Sequence, residues 1–597
     1  MKKLQIILLA SIMCLTLISG CSEKKDDKEV GIKDGIYSSQ TTGFHDMVVN
    51  VEITDGKISN ITTEDTESEG YGMDALPVLI EQILEIQGLE LDVVSGATLT
   101  RDALVLGVVN CLKEAGATEE EISAIKAKKQ EVTKEEDIEL TADVIVIGAG
   151  GAGLAAAVSA HQNGASVIVV EKMAQAGGNT ILAGGINAVE NDSETAKLYN
   201  DSTELHYTQT LEGGDNLAKP ELVRILVDKA WEGIEWSKEL GVEYVDDLVV
   251  NIIGSLHTRG YVPVNRGSTF TNAYLKYADE NDNFDVLYKT KANEIIMENG
   301  KAVGVEATGE TGNNVTLKAS KSVVLATGGF GANVEMREKV NEEKHFWPNL
   351  GESVLTTNAS SATGDGITMA EKVGASFVDM DQIQLHPLCD PKNGGIGGAI
   401  SNAETEIFIN MEGKRFINEK GRRDEIAQAT LSQTDEKLYV VVDLRDDLKP
   451  EDIKKTQENP NVVYADTLEE LADKIKVPSD ALIETVNEVN TYFADGENAG
   501  KTDKFGRSEF TLKDGVSDGI NEGPFYAYVR VPSIHHTMGG ININVNTEVL
   551  DTNNVVIPGL FACGEVTGGI HGSNRLGGNA LLDVLVFGRI AGENAAK

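Results

Sequence analysis

The chain has 597 residues, of which 41% are hydrophobic, 25% charged and 61 are glycine. That length exceeds a single core and calls for roughly two to four domains, and the composition excludes a disordered chain. A formal charge of −43, from 52 basic and 95 acidic residues, repels nucleic acid and anionic lipid, so an anionic substrate needs a local basic pocket.

The first 21 residues, MKKLQIILLASIMCLTLISGC, read as an export signal: two lysines, an apolar run, then small residues. LISGC resembles a bacterial lipoprotein cleavage site, with Cys21 as the lipidated N-terminus. The alternative is an ordinary cleaved signal with an incidental cysteine. Residues 22–33 are a charged tether. The expected location is the extracytoplasmic face of the cell membrane, held by lipid alone, since no later run is long enough to span a bilayer. The remaining cysteines, Cys111, Cys389 and Cys563, are far apart and form no CxxC or CxxCH. The usual zinc, iron–sulfur and c-type haem spacings are therefore missing, and redox chemistry here needs organic cofactors.

Residues 34–115 form a first α+β module. MVVNVEITDGKISNITTE reads as a hairpin about Asp55-Gly56. ALPVLIEQILEIQG and RDALVLGVVNCLKEAG read as helices, with DVVSGATLT (92–100) between them. Residues 116–138 are charged and helix-prone, a linker between domains. At 143 the chain changes character. DVIVI is an apolar strand, Gly148, Gly150 and Gly153 give GxGxxG at the turn into a helix, and Glu171 ends the next strand. Strand before, helix after and an acidic residue about twenty positions on make a dinucleotide fold: the glycines admit a pyrophosphate, the helix N-terminus stabilises its charge, and Glu171 accepts a ribose hydroxyl.

Further glycine-rich turns hold Gly178, Asn179, Thr180, Gly184, Gly185, Thr327, Gly328, Gly329 and Asp365. With Ala292, and with Glu565, Asn579, Ala580 and Leu581 near the C-terminus, these are the candidate cofactor contacts. Cofactor signals so far apart imply one nucleotide domain, 139–379 with 537–597, interrupted by a capping domain at 380–536. The fold class is α/β: a Rossmann-like domain interrupted by an α+β cap and preceded by a small α+β module.

The motifs GEVTGGIHGSNRLGGNAL, SIHHTMGG, IQLHP and EGKRFINEKGRRD resemble the FAD-binding subunits of fumarate reductases and succinate dehydrogenases. The match is to their soluble branch of fumarate, urocanate and related enoate reductases, over residues 139–597. The resemblance implies non-covalent FAD and hydride transfer to the β-carbon of an α,β-unsaturated acid. Arg423 falls at the position of the acid that protonates the α-carbon; Arg422 is its rival, and an ion-pairing role is the plain alternative. His535 and Arg575 match residues that hold one carboxylate, and His386 a residue at the substrate's other end, though a lone histidine is more often structural. Thr537, Met538, Gly539, Glu565 and Thr567 match a sodium site made largely of backbone oxygens.

The first module resembles bacterial domains in which the threonine of an (S/T)GAT motif carries FMN through a phosphoester, here Thr98; a helix-capping turn is the alternative. Such a module implies a flavin transferase and a membrane electron donor, quinol- or flavin-based, as partners in anaerobic respiration. In one place the chain departs from fumarate reductases. Gly398, Ala399 and Asn402 stand where these carry Thr-Glu and then Arg, which points to a larger, less polar pocket and a monocarboxylic substrate of urocanate, cinnamate or acrylate type. The rival functions are a FAD-dependent dehydrogenase or oxidase, for example of a ketosteroid, and a surface electron-carrier lipoprotein.

Overall fold

The computed structural model describes residues 31–43, 46–65, 72–91, 98–128, 133–252, 254–344, 346–396, 406–443, 462–493, 496–510, 519–521 and 523–597. Cys21 and the rest of the export segment, Asp92 and the SGA before Thr98, and Gly398, Ala399 and Asn402 lie outside the described residues.

Strands β1 (Gly35–Thr42), β2 (Asp46–Thr54) and β3 (Lys57–Asp65) form an antiparallel meander. β2 and β3 join at Asp55 and Gly56, with φ of 53° and 69°, the left-handed pair a two-residue hairpin turn requires. Met47, Val49, Val51 and Ile53 are buried at alternate positions, as a period of two dictates. Helices α1 (Gly72–Ile86) and α2 (Thr98–Glu114) supply the rest of this core. Gly107 brings α2 onto the sheet, since a Cβ there would lie 2.5 Å from Cγ2 of Val49.

Part of the segment read as a linker is structured. Thr118 and Glu121 form a capping box that opens α3 (Glu119–Lys126). Ile122, 2% exposed, joins the core of the first module. The many charges around it mask that one inward face.

The nucleotide domain begins with β4 (Ile138–Ile147), α4 (Gly151–Gln162) and β5 (Val167–Val170). Five parallel strands run in the order Val556–Ala562, Asn314–Leu325, β4, β5, Phe284–Leu287. Val144, Ile145 and Val146 are fully buried, as strands covered on both faces must be; each such side chain stabilises the fold by roughly 1.5–3 kcal/mol. The last helix, Asn579–Ala595, lies against α4. Gly588 and Gly592 permit this, because a Cβ at either would come within 2.7 or 2.1 Å of α4 carbonyl oxygens. The C-terminal segment thus returns to the first nucleotide helix.

Between them stands a second sheet. Ile383–Cys389, Phe525–Thr537, Leu438–Asp443 and Ile407–Ile409 are neighbours in that order, and Val462–Ala465 also pairs with Phe525–Thr537. With helices Arg423–Leu431, Leu468–Ile475 and Ser479–Asn490 this is an α+β cap. Its interior holds ions. Glu419 accepts from Arg415 Nε and Nη2 at 2.7 Å each and from Arg507 Nη1 at 3.1 Å, and Arg415 Nη1 reaches Asp503 at 2.8 Å. All four side chains are at most 4% exposed.

Candidate active site

The first three glycines of the nucleotide motif have separate tasks. Gly148 has φ 103° and faces the Ala326 carbonyl, 2.5 Å from where a Cβ would stand. Gly150 caps α4 in extended conformation. A Cβ on Gly153 would fall 1.8 Å from the Gly148 oxygen, so only glycine lets the helix approach the strand.

The backbone amides there open onto a cleft. Gly148, Gly150, Glu171, Gly178, Asn179, Thr180, Ala292, Thr327, Gly328, Asp365 and Glu565 line it. Gly153, Gly184, Gly185, Gly329, Asn579, Ala580 and Leu581 are not among its walls. Asn579 is instead spent on a buried network, accepting from Asn187 and His206 at 3.0 Å each and donating to Thr210 at 3.1 Å. Lys172, Lys291, Ser361 and Cys563 line the cleft without having been singled out in the sequence; Lys172 directly follows Glu171, and Cys563 opens the CGE turn. Lys172 donates to Asp365 at 2.6 Å and to Thr363 at 2.7 Å. Glu171 accepts the amides of Ala149 at 2.8 Å and Met173 at 2.9 Å, and burial raises its pKa. Glu171 thus braces the glycine turn as well as lining the cleft.

Two arginines and two histidines converge beyond this cleft. His386, on Ile383–Cys389, and His535, on Phe525–Thr537, meet edge to face with ring centroids 5.6 Å apart. His535 Nδ1 is 2.8 Å from the Thr357 hydroxyl. His386 is 7% exposed; burial, then Arg423, Arg575 and Arg530, drives its pKa down to about 3. Burial and Arg575 lower that of His535 well below the imidazole range. Both rings are neutral at pH 7.

Arg575 is 6% exposed. Its Nη1 donates to the Leu576 carbonyl and its Nη2 to Gln384 Oε1, each at 3.0 Å. Its Nε is buried with no hydrogen-bond partner, a donor left for an anion. Arg423 begins its helix and rests on Gly254, whose Cβ would lie 2.6 Å from the guanidinium carbon. Burial lowers the pKa of Arg423 to about 10; burial and Arg423 do the same to Arg575. The rival Arg422 is held elsewhere. It binds Asp215 at 2.7 and 3.0 Å and Asp424 at 2.9 and 3.1 Å.

Of the residues read as a cation site, Glu565 Oε1 accepts the Thr537 amide at 3.0 Å and hydroxyl at 3.2 Å, and Thr567 Oγ1 donates to the Gly564 carbonyl at 2.8 Å. The Met538 amide donates to Gln382, and Gly539 sits against Asp379. Among the described residues no group of three or more His, Cys, Asp or Glu could hold a metal. Thr98 is the first residue of α2.

Residues 143–581 match the FAD binding domain family, and residues 43–113 match the FMN-binding domain family. The chain belongs to the FAD-binding flavoproteins. The flavoprotein is 35% identical to the NADH:acrylate oxidoreductase of Vibrio harveyi, over 96% of this chain and 62% of that protein. It thus spans less than two thirds of that relative's length. It is 36% identical to the urocanate reductase of Eggerthella lenta, over 89% of this chain and 86% of that protein. Among solved structures, the open conformation of a flavocytochrome c3 fumarate reductase superposes with a TM-score of 0.65 at 34% identity, covering 76% of this chain and 78% of that one. These relatives are named for reduction of unsaturated carboxylates.

FAD and FMN are the flavoprotein's cofactors. The cleft fits FAD on its own chemistry. It offers a glycine turn, a helix N-terminus, and the Thr327 hydroxyl, buried with no partner. No helix among the described residues is long and apolar enough to cross a membrane.

Proposed function

We propose that the protein reduces the C=C bond of an α,β-unsaturated carboxylate. The observation that carries this is the convergence of Arg423 and Arg575 with two neutral histidines next to the FAD cleft. FAD, when bound, supplies the hydride. Arg575 and His535 hold the substrate carboxylate and polarise it, Arg575 through its unpartnered Nε and His535 through the nitrogen not engaged by Thr357. His386 contacts the substrate's other end. Arg423 protonates the α-carbon. Arginine is ordinarily too basic for this, and its lowered pKa makes the transfer less costly. Arg422, tied to two carboxylates, serves another purpose.

The substrate is monocarboxylic, of urocanate, cinnamate or acrylate type, which follows from Gly398, Ala399 and Asn402 in the sequence. The protein is exported, lipidated at Cys21, and carries FMN on Thr98, where a helix N-terminus favours the phosphate. A flavin transferase attaches the FMN, and a membrane donor reduces it. Covalent attachment is tested by intact mass: a gain equal to FMN less water, lost in Thr98→Ala.

The activity is tested by anaerobic oxidation of reduced methyl viologen with fumarate, urocanate, cinnamate, acrylate and itaconate compared side by side. One monocarboxylate is expected to be fastest, with fumarate weak. Turnover of fumarate alone would overturn the pocket reading. Silence on all five would favour a dehydrogenase or an electron carrier.

A further inference from the structure

The two arginines of the site sit on different parts of the fold. Arg575 follows the turn His571–Asn574 of the nucleotide domain, and Arg423 begins a cap helix. Their separation decides whether a carboxylate held by one presents its α-carbon to the other. One side chain outside the site touches the neighbours of both. Asp215 accepts from Arg422 Nη1 at 2.7 Å and Nη2 at 3.0 Å, and Arg422 is bonded in sequence to Arg423. The same carboxylate accepts the hydroxyl of Ser573, two residues before Arg575.

The backbone beneath Asp215 is built for this reach. Helix Thr203–Gly213 ends there, and Asp215 and Asn216 both have φ of 56°. Two consecutive non-glycine residues in the left-handed region cost on the order of 1–2 kcal/mol each and persist only where surrounding contacts impose them. Here the contacts are plain. The Ser573 amide donates to the Gly214 carbonyl at 3.1 Å and the Asn216 amide to the Leu211 carbonyl at 2.8 Å. A Cβ on Gly572 would lie 2.2 Å from the Gly214 oxygen. Asn574 donates to the Gly213 carbonyl at 3.3 Å and accepts from Gln384, which also binds Arg575. On the cap side Asp424 fixes the second edge of Arg422. The Asp215 loop is therefore held against the Arg575 turn, and the Asp215 carboxylate projects from it to the cap.

We propose that Asp215 is a positioning residue, latching the cap to the nucleotide domain through Arg422 and so setting the distance between Arg423 and Arg575. The consequence for catalysis rests on the reductase reading above; the latch itself does not. Asp215 and Arg422 are 50% and 34% exposed. A lone pair so placed contributes little, but Arg422 is held bidentately by both Asp215 and Asp424, which limits how far the cap helix can turn.

The test uses FAD-loaded full chain with Asp215→Asn, Arg422→Gln, and the exchanged pair Asp215→Arg with Arg422→Asp. Hydrogen exchange is read over Arg423–Leu431, alongside kcat and KM for the best acid of the panel. Both single variants are expected to exchange faster in that helix at unchanged FAD content. Their kcat should fall roughly 10- to 100-fold, the range a misplacement of about 1 Å produces, with KM little changed because Arg575 and His535 are untouched. The exchanged pair should recover both in part, since it restores the contact between positions 215 and 422 but sets a carboxylate against Asp424. Unchanged exchange in the single variants overturns the latch whatever their activity, and so does a uniform loss of FAD and fold. If the parent protein turns over none of the acids, the reductase reading fails, and the exchange measurement alone decides the latch.

Discussion

Gly254 sets where the proposed proton donor lies. It has φ 79°, a Cβ would overlap the Arg423 guanidinium at 2.6 Å, and its carbonyl accepts the Gly577 amide at 2.9 Å. Gly254→Ala brings strain of about 1–2 kcal/mol and displaces the guanidinium. We expect kcat to fall at least about tenfold while FAD absorbance per chain stays that of the parent, which a spectrum and a steady-state assay will check. If Arg423 is the proton donor, it is expected to set the alkaline limb of the pH profile. Its pKa is lowered from the usual guanidinium value to about 10, and only the protonated form donates. The kcat/KM, which reports the groups of the free protein, should therefore hold steady through neutrality and decline as pH rises through about 10, where Arg575 also titrates. Arg423→Lys should move that limb; an unmoved limb would assign it to another group.

At the scale of elements, the signals that showed best in the sequence were those with a strict period or a required glycine. The Asp55-Gly56 hairpin and the β4–α4–β5 unit are of this kind, because a left-handed turn and a 1.8 Å clearance at Gly153 tolerate little else. The segment at 119–126 showed its helical bias but not its docking onto the first module, because only Ile122 and Ile125 among its many charges turn to that core. Asn579 illustrates a different limit. Its position beside a cofactor motif suggested a ligand contact, whereas the fold uses it to tie His206, Asn187 and Thr210 together. Pattern can name the neighbourhood of a site but not which atoms face inward. EGKRFINEKGRRD carries the same lesson: Arg423 lies against Gly254 near His386, whereas Arg415 and Glu419 form the interior of the cap. Removing the Glu419 carboxylate takes from Arg415 and Arg507 their shared buried partner, leaving Asp503 against two cations, which costs about 3–5 kcal/mol. Glu419→Gln should accordingly melt the cap first. Limited proteolysis will place the new cuts between residues 383 and 537 if this is so, and in the nucleotide domain if it is not.

Over the whole molecule, a formal charge of −43 surrounds a site in which Arg423 and Arg575 lie within each other's field. An approaching carboxylate meets repulsion at long range and attraction only at contact. Salt screens the first more than the second, because the Debye length falls from about 30 Å at 0.01 M to about 8 Å at 0.15 M. The kcat/KM for an anionic acid is expected to rise over that range, and for its neutral amide to stay flat. A fall with salt would mean that the local basic field extends to the mouth.

The cap enters and leaves through one doorway. Ile383 and Thr537, the first and last residues of its two boundary strands, are direct partners in an antiparallel ladder, which holds their Cα atoms about 4.5–5.5 Å apart. An insertion whose ends meet can be lifted out and replaced without stretching its host. His386, Arg423 and His535 would travel with such a cassette, while Arg575 and the cofactor cleft would stay behind. A change of that one segment would then alter three of the four proposed substrate contacts while leaving Arg575 and the cofactor cleft as they are.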